Sequence, residues 1–142
     1  MTILLDHVIV PSLDPVAGAK SLADLLGVPW EQSRGHFTPV YVNDSLTLDF
    51  AGRDTFEGTS QRGQGTHHYC FHVTDGDFDA ILSRLRAARI PHRGHPQGPD
   101  DMQVNTRLGG KNLYWEDADG HLWEILTVSY ARADSPALSA AG

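Results

Sequence analysis

The chain has 142 residues, of which 40% are hydrophobic and 20% are charged, and its formal net charge is −7. These values are typical of a single globular domain with its own core and exclude a generally disordered chain. An acidic balance without a basic stripe argues against nucleic acid as a partner, and the lack of a long apolar run argues against a membrane.

The cysteine count and the first residues of the chain indicate the cellular compartment. The single cysteine, Cys70, has no second cysteine with which to form an internal disulfide, so a reducing compartment is the simpler expectation. The opening stretch reaches a charge at Asp6, too early for the apolar core of a secretory signal. We therefore expect a cytoplasmic protein.

The first half predicts a strand, a helix and further strands. LDHVIV at 5–10 is rich in β-branched residues and ends at Pro11, which is typical of a strand. Asp14 and Pro15 indicate a helix start, and Gly27 indicates its end. Three extended segments follow, near Trp30, at 36–42 and at 46–50.

The second half repeats this order after a polar stretch at 54–65, which we interpret as a loop or linker. A strand is predicted at 67–73, and Asp75-Gly76-Asp77 is typical of a helix start. The helix itself follows from an apolar stripe at Phe78, Ile81, Leu82, Leu85 and Ala88. The remaining predicted segments are an extended piece at 90–93, a polar loop at 92–105, strands at 112–116 and 121–128, and a flexible tail at 131–142.

The order strand–helix–strand–strand–strand therefore occurs twice. In a motif alignment of the halves, His7 falls on His68, and Asp49 falls on Glu124. This predicts an α+β fold of two βαβββ modules, about 3–52 and 66–130, within one domain at 1–130.

Strand alternation identifies candidate metal ligands. His68, Cys70 and His72 share one face of their strand, and Asp49 and Glu124 are mid-strand carboxylates between apolar neighbours. Such a carboxylate is costly unless it is paired or bound to metal. Two histidines and two carboxylates on equivalent strands predict a divalent site that suits Fe, Mn, Ni, Co or Zn. The predicted ligands are His7, Asp49, His68 and Glu124.

Other side chains are weaker candidates. His72 shares the face of His68 and is a candidate acid–base residue or a hydrogen-bonded core histidine. Tyr114 is a candidate phenolic donor, although the face of its strand is uncertain. Cys70 has no visible base partner and is interpreted as a small core residue. Solvated surface positions are expected for Arg53, Arg62, Arg93, Arg107 and Lys111.

Three stretches make the chain resemble the vicinal oxygen chelate (VOC) superfamily, the group of glyoxalases, bleomycin-resistance proteins and extradiol dioxygenases. They are LDHVIV, HHYCFHV followed by DFDAILSRLRAARI, and LYWEDADGHLWEILT, in which Ala118 replaces the usual proline. The resemblance implies a curved sheet around a metal cavity. It places His7, His68 and Glu124 on ligand positions, and Asp49 where glyoxalase I-type members often have glutamate.

The resemblance implies a metal-dependent enzyme that acts on a small molecule chelated through vicinal oxygens. One two-module unit favours a glyoxalase-like lyase or isomerase, while an Fe(II) extradiol-type dioxygenase is the alternative. A metal-free protein that sequesters a drug is a further alternative, against which the intact ligand set argues. Whether Asp49 binds the metal partly decides the reaction class, because a fourth protein ligand leaves less room for substrate and dioxygen.

Exposed sheet edges and an apolar concave face predict a homodimer. The ligands of one site then come either from one chain or from two subunits, and the sequence leaves both arrangements open.

Overall fold

The structure, a computed structural model, describes residues 2–53, 65–132 and 138. Nearly all of the predicted linker at 54–65 and most of the predicted tail lie outside these residues. The chain divides into two compact units, Met1–Thr66 (unit 1) and His67–Gly142 (unit 2). The assignment of 1–130 to a single domain stays a prediction.

Unit 1 is a three-stranded sheet with one helix. Its elements are β1 (His7–Ser12), α1 (Pro15–Leu26), β2 (Phe37–Tyr41) and β3 (Thr47–Gly52). The central strand β3 pairs parallel with β1 and antiparallel with β2. The parallel pair needs a crossover connection, which α1 and β2 supply.

The ends of α1 confirm the predicted helix signals. The Asp14 carboxylate accepts a hydrogen bond from the Ala17 amide at 3.1 Å, and Pro15 occupies the first turn, where no amide hydrogen is needed. Gly27 ends the helix at φ 72°, a left-handed conformation that glycine adopts without a steric penalty.

Unit 2 has the same order of elements. They are β4 (His68–His72), α2 (Asp75–Ala87), β5 (Asn112–Glu116) and β6 (Leu122–Leu126). The central strand β6 pairs parallel with β4 and antiparallel with β5. The predicted helix start is displaced by one residue, because Thr74 caps α2 by accepting from the Asp77 amide, while Asp75 and Asp77 lie in the first turn.

The predicted α+β fold of two similar modules is confirmed, with one difference in strand number. In the described residues each unit has three strands rather than four. Isolated bridges, Trp30 with Val40 and Arg93 with Tyr114, occupy the place of the fourth strands. Pro29 and Pro91 lie close to these bridges and have no amide hydrogen with which to extend a ladder. The curved sheet around a metal cavity stays a prediction.

Strand alternation separates a face that packs on the apolar core from the opposite face of each sheet, here called the open face. In unit 2 this open face also contains the buried residues Tyr114 and Glu124. The buried strand residues include Val10, Leu48 and Phe50 in unit 1 and Leu113, Trp115, Trp123 and Ile125 in unit 2. Tyr69 and Phe71 stack on Trp123, with ring centroids 4.7 and 5.9 Å apart. The larger and more apolar face of β4 therefore packs inward as predicted, and His68, Cys70 and His72 lie on the other face.

The expectation of a solvated Arg93 is wrong. Its side chain is only 6% exposed and forms ion pairs with Asp100 and Glu116, both at 2.8 Å. It also donates to the carbonyl oxygens of His95 and Pro96 at 3.0 and 2.9 Å. A guanidinium can satisfy four acceptors at once because its donors form a planar fork. The loop at 92–105 is thus fastened to unit 2 by a buried cation.

Of the two helices in the described part of the chain, which have 12 and 13 residues, neither is long and apolar enough to cross a membrane.

Candidate metal centre

Glu124 is a carboxylate buried within a strand of unit 2. It lies in the middle of β6, opposite Cys70 on β4 and Tyr114 on β5, and is 0% exposed. Its neighbours along the strand, Trp123 and Ile125, point to the apolar core, so alternation sends its side chain to the open face. A buried carboxylate requires compensating partners, because desolvation of an unpaired charge is costly.

Among the polar side chains around the Glu124 carboxylate, three lie 2.8–3.3 Å from its oxygens. His68 Nε2 lies 3.1 Å from Oε1. The Tyr130 hydroxyl lies 2.8 Å from both Oε1 and Oε2 and donates to them. Asn112 Nδ2 donates to Oε2 at 3.3 Å. The sheet thus presents a carboxylate whose oxygens are oriented by neighbours on β4, on β5 and beyond β6.

The hydrogen bonds of His68 fit a metal ligand. Its Nδ1 lies 2.8 Å from the Leu122 carbonyl oxygen, which only accepts, so Nδ1 carries a hydrogen. In the neutral ring, Nε2 then has a lone pair directed at Glu124 Oε1, another acceptor. A proton or a metal ion shared by both atoms removes this repulsion, and ligand atoms 3.1 Å apart can both reach one ion at metal–ligand distances of about 2.0–2.2 Å. A backbone carbonyl that orients a ligating imidazole is a common support for bound metal.

An unsatisfied acceptor adjoins this pair. Within the described residues, the buried Asn112 Oδ1 has no hydrogen-bond partner, although the Nδ2 of the same amide contacts Glu124. The amide orientation is set by Nδ2, since a flipped amide would place oxygen against the carboxylate. The donor set, an imidazole nitrogen with a carboxylate oxygen, suits a divalent transition metal.

Cys70 lies between the two histidines of β4. It is exposed, so the expectation of a core residue is wrong. Desolvation of the thiol on the sheet, together with the charge of the adjacent Glu124, nevertheless raises the pKa of Cys70. The neutral thiol is therefore favoured, and a nucleophilic thiolate is disfavoured at this position.

In unit 1, His7 and Asp49 lie on the open face. His7 pairs with Thr47 across the β1–β3 ladder, and Asp49 is the next residue of β3 on that face. A hydrogen bond of 2.8 Å with Asp6 raises the pKa of His7. Desolvation raises the pKa of Asp49, and the nearby His7 partly offsets this. The structure thus brings His7 and Asp49 to one face and His68 and Glu124 to another, while the complete four-residue site stays a prediction.

The two candidate catalytic residues have distinct surroundings. Tyr114 lies opposite Glu124, with its ring centroid 6.0 Å from that of His68, which resolves the uncertain face of β5. His72 pairs with Leu126, one alternation beyond Glu124, or about 6.6 Å along the strand. Its Nε2 donates to the Thr127 carbonyl at 3.0 Å. Tyr114 therefore adjoins the carboxylate, whereas His72 is anchored farther along the open face.

A second cluster, formed by Asp117, Asp119 and His121, also has ligand atoms within 4.8 Å of one another. Its atoms already serve the turn between β5 and β6. Asp117 Oδ1 accepts from the amides of Asp119 and His121, and Oδ2 accepts from Trp123 Nε1, each at 2.9 Å. His121 Nδ1 accepts from the His67 amide at 3.0 Å. We interpret this cluster as a structural turn.

Two solved oxidases resemble the chain in sequence as well as in fold. Oxidase ChaP-H2 is 36% identical, with a TM-score of 0.77 over 92% of this chain and 97% of its own. Oxidase ChaP-H1 is 37% identical, with the same TM-score over 92% of this chain and 100% of its own. The chain belongs to the VOC superfamily.

A more distant VOC fold is that of a glyoxalase/dioxygenase from Nostoc punctiforme, which is 19% identical with a TM-score of 0.59 and covers 84% of this chain and 87% of its own. This likeness shows the shared fold alone. No family model matches the sequence. No curated protein matches it either.

Sequence reasoning did not identify two residues of this VOC centre, Asn112 and Tyr130. Strand alternation could have identified Asn112, because Asn112 lies two residues before Tyr114 and therefore on the same face of β5. Tyr130 follows the end of β6, where strand alternation no longer applies, and only the structure reveals its contact with Glu124.

Proposed function

We propose that this VOC protein is a metal-dependent oxidase that uses dioxygen on a small substrate chelated through vicinal oxygens. The observation that carries the proposal is the 3.1 Å approach of His68 Nε2 to the buried Glu124 Oε1, which puts an imidazole nitrogen and a carboxylate oxygen within reach of one ion, in a chain 36–37% identical to two oxidases. The relatives favour oxygen chemistry over the non-redox reaction that the length of the chain suggests.

The proposed metal is held by His68 Nε2 and Glu124 Oε1, with His7 as the predicted third ligand. Two histidines and one carboxylate are the ligand set of many non-haem Fe(II) oxygenases. When bound, such an ion supplies Lewis acidity to the chelated substrate and a means of activating dioxygen.

The surrounding residues orient the ligands and donate hydrogen bonds. The Leu122 carbonyl holds the His68 ring, and Asn112 holds Oε2 of Glu124. Desolvation raises the pKa of Tyr114, so its phenol stays protonated near neutral pH and can donate to a substrate oxygen.

A glyoxalase-like lyase or isomerase is the second candidate, and Asp49 favours it. Asp49 is one strand alternation from Thr47, the pairing partner of His7, so the carboxylate and the imidazole lie on the same face of the unit 1 sheet. If Asp49 joins His7 as a ligand, four protein ligands leave two positions for a chelating substrate and crowd out dioxygen.

Replacing Asp49 by alanine distinguishes the two reactions. For an oxidase we expect Fe(II) affinity within about threefold of the wild type and oxygen uptake in a screen of catechols, because three ligands remain. For an isomerase we expect a loss in metal affinity of at least the 10–100-fold that even supporting residues cause. Affinity is measured anaerobically by chelator competition, and oxygen uptake is measured with an electrode.

Asp44→Ala is the matched control for this test, because Asp44 is an exposed acid in the turn before β3. It should leave both quantities unchanged. A large loss of metal affinity in Asp49→Ala alone, without oxygen uptake by the wild type on any catechol, would contradict the oxidase proposal.

A homodimer is also proposed, and the exposed apolar residues before β1 support it. Ile3, Leu4 and Leu5 are each more than 60% exposed, and β1 is an edge strand of its sheet. Apolar surface beside an open edge is stabilised when a second chain covers it. Light scattering at micromolar concentration should give twice the chain mass of 15.5 kDa. A monomer mass there would rule the dimer out.

A further inference from the structure

We propose that Tyr130 is a positioning residue that restricts Glu124 to a single metal-binding oxygen, Oε1. This inference deepens the proposed function and rests on it, since it requires that Glu124 binds metal. It concerns the number of carboxylate oxygens that the ion can contact, and hence the number of positions left for substrate and dioxygen.

The position of the Tyr130 hydroxyl carries the argument. It lies 2.8 Å from Oε1 and 2.8 Å from Oε2 of Glu124. An atom equidistant from both oxygens lies in the plane that bisects the carboxylate. An ion chelated by both oxygens must lie in the same plane. The hydroxyl therefore occupies the region of the carboxylate from which two-oxygen chelation would take place.

The other contacts of Glu124 distinguish its two oxygens. Oε2 accepts a hydrogen bond from Asn112 Nδ2, so a protein donor already holds this oxygen. Oε1 lies 3.1 Å from His68 Nε2, the ring nitrogen that does not contact the Leu122 carbonyl. The ion is thus expected on the His68 side of Oε1, while the Tyr130 hydroxyl and Asn112 remain on Oε2.

Single-oxygen binding has a consequence for the reaction. A carboxylate that chelates through both oxygens takes two coordination positions, whereas one oxygen takes one. In an octahedral centre, three protein ligands that each bind through one atom leave three positions. Two of these positions can take the vicinal oxygens of the substrate, and the third can take dioxygen.

The test uses Co²⁺ as the probe and the variant Tyr130→Phe, which removes only the hydroxyl. We expect the variant to bind Co²⁺ about tenfold more tightly, because without the hydroxyl both oxygens of Glu124 can contact the ion. The visible absorption of bound Co²⁺ should weaken, since d–d bands lose intensity as coordination number rises. X-ray absorption should show one additional oxygen ligand.

Tyr69→Phe is the matched control, because Tyr69 stacks on Trp123 on the opposite face of β4. It should leave the Co²⁺ affinity and spectrum unchanged. X-ray absorption of wild-type protein with Co²⁺ is an independent check that needs no variant, and it should fit a single Glu124 oxygen.

The outcomes separate this inference from the proposed function. Wild-type protein that binds Co²⁺, with a Tyr130→Phe variant of the same affinity and coordination, overturns the inference and leaves the metal centre intact. A 10–100-fold weaker Tyr130→Phe variant also overturns it, because the hydroxyl then merely supports the ligand. Wild-type protein that binds no Co²⁺ overturns both.

Discussion

Replacement of Glu124 by glutamine should remove nearly all bound divalent metal. The side chain is buried, and glutamine keeps its size while replacing the anionic oxygen by a neutral amide. Loss of a residue that only supports a ligand lowers metal affinity 10–100-fold, so loss of the ligand itself should exceed about 100-fold. Metal content is measured by elemental analysis after anaerobic reconstitution and dialysis.

Asp119→Asn is the control, because Asp119 belongs to the second candidate cluster, which Asp117, Asp119 and His121 form in the β5–β6 turn. It should retain the metal content of the wild type. Equal metal in wild type and Glu124→Gln, with a loss in Asp119→Asn, would move the metal centre to the turn and refute the assignment to Glu124.

Replacement of Arg93 by methionine should lower the free energy of unfolding by about 3 kcal/mol. Methionine fills a similar volume but leaves the carbonyl oxygens of His95 and Pro96 without their donor. The loop at 92–105 loses its anchor at the same time. Chemical denaturation followed by circular dichroism measures the change.

The partners of Arg93 provide a graded control. Glu116 is 54% exposed, so water can solvate either group when the pair is broken, and Glu116→Gln should cost less than about 1 kcal/mol. Equal losses in Arg93→Met and Glu116→Gln would mean that the single ion pair, rather than the whole set of four acceptors, holds the loop.

The sequence predicted the fold where its signals are local. The caps of α1, the apolar stripe of α2 and strand alternation all depend on near neighbours, and the structure agrees with them except at Ala88, an exposed residue just after α2. The strand number was wrong because Pro29 and Pro91 weaken the expected fourth strands. The expectation for Arg93 was wrong because the irregular path of its own loop brings it acceptors on His95, Pro96 and Asp100. The fourth acceptor, on Glu116, lies on β5, and no periodic spacing predicts either kind of contact.

The candidate centre was predictable to a similar degree. The repeat and strand alternation indicated His68 and Glu124, which the structure brings to 3.1 Å. They also indicated His7 and Asp49, and their participation in the same metal site as His68 and Glu124 stays a prediction. Tyr130 was unpredictable, because a residue after the last strand reaches its partner through the path of the backbone and not through a periodic pattern.

The turn between β5 and β6 determines which side of the sheet carries the carboxylate. Asp117 accepts hydrogen bonds from two turn amides and from the Trp123 indole, which ties the turn to a residue one position before Glu124. A slip of one residue in this hairpin would exchange the two faces of β6, with indole against solvent and carboxylate in the apolar core. The register of the β5–β6 hairpin therefore determines which face of the sheet carries the Glu124 carboxylate, although the turn residues do not contact that carboxylate.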